Sequence, residues 1–281
     1  MKQPTTLTGP YLGQTPPGDE PALFAPGIVS TNAGNHSSPA FSPDGKEIYW
    51  EVRAKIWFTK LKNDKWSQPQ MLSFCEDDSH MYDNPFLTPD GERLFFTSTR
   101  SGAVSQKKET IWYVERTSSG WTEPKPISSE VNETALHWSI SVSASGTLYF
   151  QFQCTGEACF GGIGDIYYSQ SVKGVYTKPV KMGPEINTRH TETCPYIAPD
   201  ESYIVFNRFV ESDMKKTGIY LSYRDKSGQW LPAVFILGGS PDVGGVSPRI
   251  SPDGKYLFFA QGDRGVWWMS AALIEEHKPE G

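Results

Sequence analysis

One short segment occurs five times in this chain, and it constrains the fold more than any other feature. It runs Ser-Pro-Ala-Phe-Ser-Pro-Asp-Gly-Lys-Glu-Ile-Tyr-Trp from Ser38 to Trp50 and Asn-Pro-Phe-Leu-Thr-Pro-Asp-Gly-Glu-Arg-Leu-Phe-Phe from Asn84 to Phe96. It returns from Ser139 to Phe150 around Ala144, from Cys194 to Phe206 around Pro199, and from Ser247 to Phe259 around Pro252. The turn positions 43, 89, 144, 199 and 252 stand 46, 55, 55 and 53 residues apart, about the length of one four-stranded propeller blade with long loops. Each turn has a mechanism. Proline presets φ, aspartate suits the next position, and glycine takes the left-handed conformation that closes a hairpin.

The residues after each turn repeat as well. A strand of bulky residues comes next (Ile56-Trp57-Phe58, Ile111-Trp112-Tyr113, Ile166-Tyr167-Tyr168, Ile219-Tyr220-Leu221, Val266-Trp267-Trp268). A fourth strand is then announced by Trp or Tyr and a proline: Trp66 and Pro69, Trp121 and Pro124, Tyr176 and Pro179, Trp230 and Pro232. Proline at a strand start fits an outer edge. The fifth copy has three strands before a short helical tail from Ala271 to His277, and Glu20 to Pro26 supplies the missing fourth. The expected fold is therefore all-β: a five-bladed β-propeller of four-stranded blades, the last blade closed by an N-terminal strand. Residues 1–19 are expected as an N-terminal extension and 20–281 as a single propeller domain. Aromatics at 13%, with 26 glycines and 22 prolines, suit many bulky strands joined by tight turns.

Composition also excludes classes of function. A net charge of −6 with no basic stripe argues against nucleic acid as partner. No stretch reaches the roughly 20 apolar residues that a membrane-spanning helix needs, and the first residues lack the apolar core of a signal peptide. A monomer is expected.

The Pro-Asp-Gly copies, with Ile-Trp-Tyr-Val-Glu-Arg at 111–116 and Ile-Asn-Thr at 186–188, resemble the WD40-like (PD40) propeller repeats of TolB-type bacterial proteins, over residues 20 to 270. The resemblance implies the architecture and a bacterial periplasmic or cell-envelope location. It is weak for activity, since such propellers serve as scaffolds, peptidase domains and polysaccharide lyases alike.

Candidate chemistry comes from the histidines. Seven residues before the turn position stand His36, Tyr82, His137, Glu192 and Gly245; nine before it stand Gly34, His80, Ala135, His190 and Val243. Four of the five histidines thus fall in ten positions where chance would place about 0.2. Both registers share strand parity, so the expectation is a ring of His36, His137, Glu192 and Tyr82 around the channel, with His80 and His190 nearer the mouth. Imidazoles and a carboxylate in such a ring suit a divalent transition metal, zinc, manganese or iron. Metal-activated water would then attack an ester, phosphotriester or lactone, with Glu192 as ligand or general base, Tyr82 donating to the oxyanion, and Arg249 docking a substrate anion. The alternatives are histidines satisfied by backbone carbonyls, Tyr82 as packing and Arg249 paired with an acid such as Asp242. At the level of function they are a metal-assisted uronate lyase acting on a glycan, or a non-catalytic TolB-like envelope module. Acids near the blade starts (Asp77, Asp78, Asp83, Glu133, Glu185, Glu192) could form a glycosidase pair, but they fall in different registers. Cys154 and Cys159 could form a small disulfide in an exported protein or stay free; Cys75 and Cys194 read as packed thiols, the latter near the site.

Overall fold

The computed structural model describes residues 7–31, 33, 35, 37–100, 109–132, 139–152, 164–239 and 245–279. Five antiparallel sheets of four or five strands are present among the described residues, one for each copy of the repeat, with a two-stranded hairpin beside them at 171–176. The innermost strands are Ala40–Phe41, Tyr82–Leu87, Ile140–Val142, Thr191–Ile197 and Val246–Ile250, in blades one to five. Each pairs with the strand after its turn, and that strand pairs with a third. The outermost strands of blades one to four begin just after Pro69, Pro124, Pro179 and Pro232: Gln70–Met71, Lys125–Pro126, Val180–Lys181 and Val234–Gly238. Ala22–Leu23 forms the outer strand of blade five, with Ala22 opposite Trp268 and Leu23 opposite Trp267. The expected architecture and its closure are both present.

The turns work by side-chain chemistry as well as backbone shape. Ser42, Thr88 and Ser251 each donate a hydroxyl hydrogen bond to the turn aspartate, Asp44, Asp90 and Asp253, at 2.6–2.7 Å. Each hydroxyl also accepts the amide N–H five residues on, from Glu47, Arg93 and Tyr256. Gly45, Gly91, Gly146 and Gly254 take the left-handed position, whereas blade four places Glu201 there at φ 60°. The Glu201 carboxylate accepts hydrogen bonds from Ser143, Ser145, Tyr149 and Arg224, so the non-glycine residue ties blade four to blade three.

Apolar residues fill the spaces between neighbouring blades. At the closure, Phe24 is wholly buried and meets Phe258 and Trp268 edge-on, with ring centroids 5.1 and 5.2 Å away. Residues 7–19 lie across the same seam. Leu12 is buried, Tyr11 packs on Phe41, Tyr256 and Trp268, and the Trp66 indole donates to the carbonyl of Gly9 at 2.7 Å. Asn132 and Asn187 pin the links between blades: each accepts the N–H and donates to the C=O of one third-strand isoleucine, Ile111 or Ile166, at 2.8–2.9 Å. No helix among the described residues is long and apolar enough to cross a membrane.

These contacts set two expected outcomes. Phe24→Ala should lower the free energy of unfolding by about 3–5 kcal/mol, read from denaturant midpoints. The second concerns acid. Burial would raise the Glu47 carboxyl, but hydrogen bonds from Arg116, Lys60 and Tyr49 hold it below its ordinary 4.5. A depressed carboxylate contributes stability above its unfolded value and loses it as pH falls through the folded one. Stability measured from pH 6 to 3 should therefore drop below about 4.5, and Glu47→Gln should flatten that slope.

Candidate functional site

The innermost strands do not alternate evenly. In blade two, Asp83 faces Thr97 and Phe86 faces Phe95, so Asn84 and Pro85 together oppose a single residue. Blade four repeats this at Cys194 and Pro195, and blade five at Ser247 and Pro248. Asn84, Cys194 and Ser247 all sit at positive φ, 50–57°. These are β-bulges placed where proline removes a ladder donor. One extra residue swaps the faces of everything on the mouth side.

The swap decides where the expected site residues lie. Tyr82, seven before the turn, points into the seam between blades one and two. It is wholly buried there, 5.9 Å by ring centroid from both Phe74 and Phe96 and under the Lys55 ammonium. It therefore belongs to packing and not to an oxyanion site. Glu192 in blade four is also fully buried and turned from the channel. Its carboxylate accepts from Arg208 Nε at 2.7 Å, Thr188 Oγ1 at 2.6 Å and the Thr188 amide at 3.1 Å. The same guanidinium donates to the Ile186 carbonyl and stacks 4.3 Å from the Tyr220 ring centroid. Burial raises the Glu192 carboxyl despite these partners, and its oxygens are committed to holding the Ile186–Thr188 link.

His80 stands on the rim of blade two, its Nε2 3.6 Å from Asp77 Oδ2. Lys55 reaches into that loop, donating to the Asp77 carbonyl and pairing with Asp78. His190 is half-buried on blade four, its backbone N–H donated to Thr188 Oγ1. His36 and His137, with Asp242, Cys154 and Cys159, lie outside the described residues. Among the described residues no three His, Cys, Asp or Glu side chains converge as a metal site. The described members of the expected ligand set thus do not assemble as one metal site: His80 and His190 are not grouped with two further ligands, and Glu192 is paired with Arg208.

The bulge brings a different set to the channel. Met81, Asp83, Thr193 and Val246 line a cavity of about 680 Å³ at the channel mouth, where their neighbours Tyr82 and Glu192 do not. Glu51, Arg53, Glu109, Asn84 and Gln151 join them, and Cys194 borders it as well. Three carboxylates thus share the mouth with one guanidinium among the described residues. Glu51 accepts the Ala54 amide at 2.6 Å and Asp83 accepts the Asn84 amide at 2.6 Å, so two of the three are braced by backbone. Cys194 and Cys75 are free thiols, and burial pushes Cys75 up to about 12.

Sequence reasoning named Asp83 and Cys194 but missed the rest of this set, although two signals were available. Pro39, Pro85, Pro195 and Pro248 sit inside what read as innermost strands, and proline there marks a bulge. On the second strands one register reads Glu51, Thr97, Gln151 and Asn207, all buried and polar. Asn207 shows the reason. It donates to the Gly245 carbonyl and accepts the Ser247 amide, satisfying the bulged strand of the next blade. Arg249 lies on the turn side of its bulge, where the simple count holds, and it reaches the channel.

No protein-family model and no curated protein matches the chain. Solved structures do. A protein described as the TolB of Agrobacterium tumefaciens superposes with a TM-score of 0.53 at 19% identity, covering 79% of this chain and 68% of that one. The tricorn protease gives 0.51 at 11% identity, over 85% of this chain and 25% of its own. A gluconolactonase of Xanthomonas campestris, XC5397, gives 0.50 at 11% identity, over 95% and 98%. The fold is a TolB-like β-propeller. At such identities the likeness concerns the fold alone.

The Glu192–Arg208 pair gives a sharp expectation. Arg208→Met strands a buried carboxylate and should cost about 3–5 kcal/mol, measured by denaturation at pH 7. Combining it with Glu192→Gln should recover part of that loss.

Proposed function

We propose that this chain is a small-molecule-binding propeller of TolB-like architecture, and that its ligand is polar, neutral or cationic, and held in the channel mouth. The observation that supports this reading is the cavity of about 680 Å³ where Glu51, Asp83 and Glu109 meet. A volume of that order encloses a metabolite-sized ligand. Carboxylates in a walled cleft favour amines and hydroxyls over anions. The bacterial cell envelope is the compartment that goes with this reading.

Hydrolysis of an ester or lactone is the second reading, favoured by the same carboxylates: one held at the mouth is placed to act as general base on water. The fold shared with a gluconolactonase makes lactones the first substrates to try. No step of either reading passes through a metal. Elemental analysis of the purified chain tests the metal expectation separately, and stoichiometric zinc, manganese or iron would return His36 and His137 to consideration.

The experiment is a thermal-shift screen with polyamines, neutral sugars and sugar lactones, run on the wild type and on Asp83→Asn/Glu109→Gln. Ligands that stabilise the wild type should bind the double variant at least tenfold more weakly, about 1.4 kcal/mol or more. Equal binding by both would overturn the mouth as the site. Turnover of δ-gluconolactone or p-nitrophenyl acetate, reduced roughly a hundredfold in the variant, would select the hydrolytic reading; ligand binding without turnover would select the recognition module.

A further inference from the structure

The opposite end of the channel holds a second and chemically different feature. Three residues before each turn position stand Ala40, Phe86, Ser141, Tyr196 and Arg249, and all of them but Ser141 line the turn-side end of the channel. There, towards the turns, lies a cavity of about 140 Å³. Its walls are mostly apolar, built of turn-side prolines with Phe41, Leu87, Val142 and Ile250, and Thr88 is also at its edge. Ala40 is small, so blade one leaves room there.

Arg249 brings the charge to this end of the channel. The residue is 5% exposed. Its Nη1 donates to the carbonyl of Pro85 in blade two, and its Cζ lies 5.2 Å from the Phe86 ring centroid. Its Nη2 is buried and has no hydrogen-bond partner among the described residues. The carboxylate that acts on it electrostatically, Asp83, lies across the bulge and accepts the Asn84 amide. Burial lowers the guanidinium to about 10, which still leaves it charged at neutral pH. A buried cationic donor left open is costly, and an anion would satisfy it.

We propose that this turn-side cavity is a binding site for a small organic monocarboxylate, its anionic head on Arg249 and its apolar body against the prolines. One open Nη2 group, with its two N–H donors, suits a single carboxylate. A phosphate or sulfate would bring more acceptors than this apolar pocket can match. The site is separate from the mouth and stands whether or not the proposed function does.

The test is an NMR-detected titration with benzoate, and with benzamide as its neutral isostere. Wild type should bind benzoate with Kd on the order of 1 mM and benzamide at least tenfold more weakly. Arg249→Met should lose benzoate binding, yet without ligand it should melt no lower than wild type, because it removes an open charge. Ala40→Leu keeps the guanidinium and fills the cavity, so it too should lose binding; it decides the matter if Arg249→Met does not fold. Absence of wild-type binding at about 10 mM, equal binding of benzoate and benzamide, or benzoate binding retained by either folded variant would overturn the proposal.

Discussion

A chain that must place five strands side by side around an axis has to stop them crowding where they converge. Here the bulge does that. At Asn84, Cys194 and Ser247 the backbone turns left-handed, the next residue, a proline, gives up its donor, and two residues take the place of one. Everything nearer the mouth then faces the other way. Polar side chains on the adjoining strands satisfy what the ladder loses, as Asn207 does for Gly245 and Ser247. The facing of Met81 and Asp83 into the mouth and the burial of Tyr82 and Glu192 are consequences of that extra residue.

This explains how much of the molecule could be read in advance. Blade number, strand order and the N-terminal closure were legible because they rest on local chemistry, Pro-Asp-Gly turns and alternating bulky strands, that repeats five times. Arg249 was legible as a channel residue because no irregularity separates it from its turn. Tyr82 and Glu192 were misplaced because parity was carried across Pro85 and Pro195 as though those strands were even. Shared register did come out of the repeat, but shared register is not shared orientation. Glu51, Glu109 and Gln151 come from second strands and loops, and only the assembled ring brings them to one cavity.

Charge inside the propeller is used mainly as a joint. Arg116 crosses to Glu47 at 2.7 Å, Arg224 to Glu201 at 3.1 Å, and Arg208 to Glu192 at 2.7 Å. The first links neighbouring blades, the second lies within blade four and orients the Glu201 carboxylate that reaches blade three, and the third braces the link that leads into blade four. Each arginine also lies over an aromatic ring: Trp121, Trp230 and Tyr220 respectively. Pairs of this kind gain less in stability than their Coulomb attraction suggests, because desolvation offsets it. What they add is angle, since a fork flanked by a ring accepts its carboxylate from few directions. Arg249 differs in having its ring and one carbonyl but, among the described residues, no carboxylate bonded to it.

The pairing of Leu23 with Trp267 joins the two most distant strands of the sheet system. During synthesis the early strand therefore leaves the ribosome long before its companion exists. Until then the seam holding Phe24 stays open, and blade one lacks its final neighbour. Contacts so far apart in sequence slow assembly and prolong exposure of aromatic surface. Completion of the ring thus waits for the last strand, and the interval before it is when a chaperone would have most to shield.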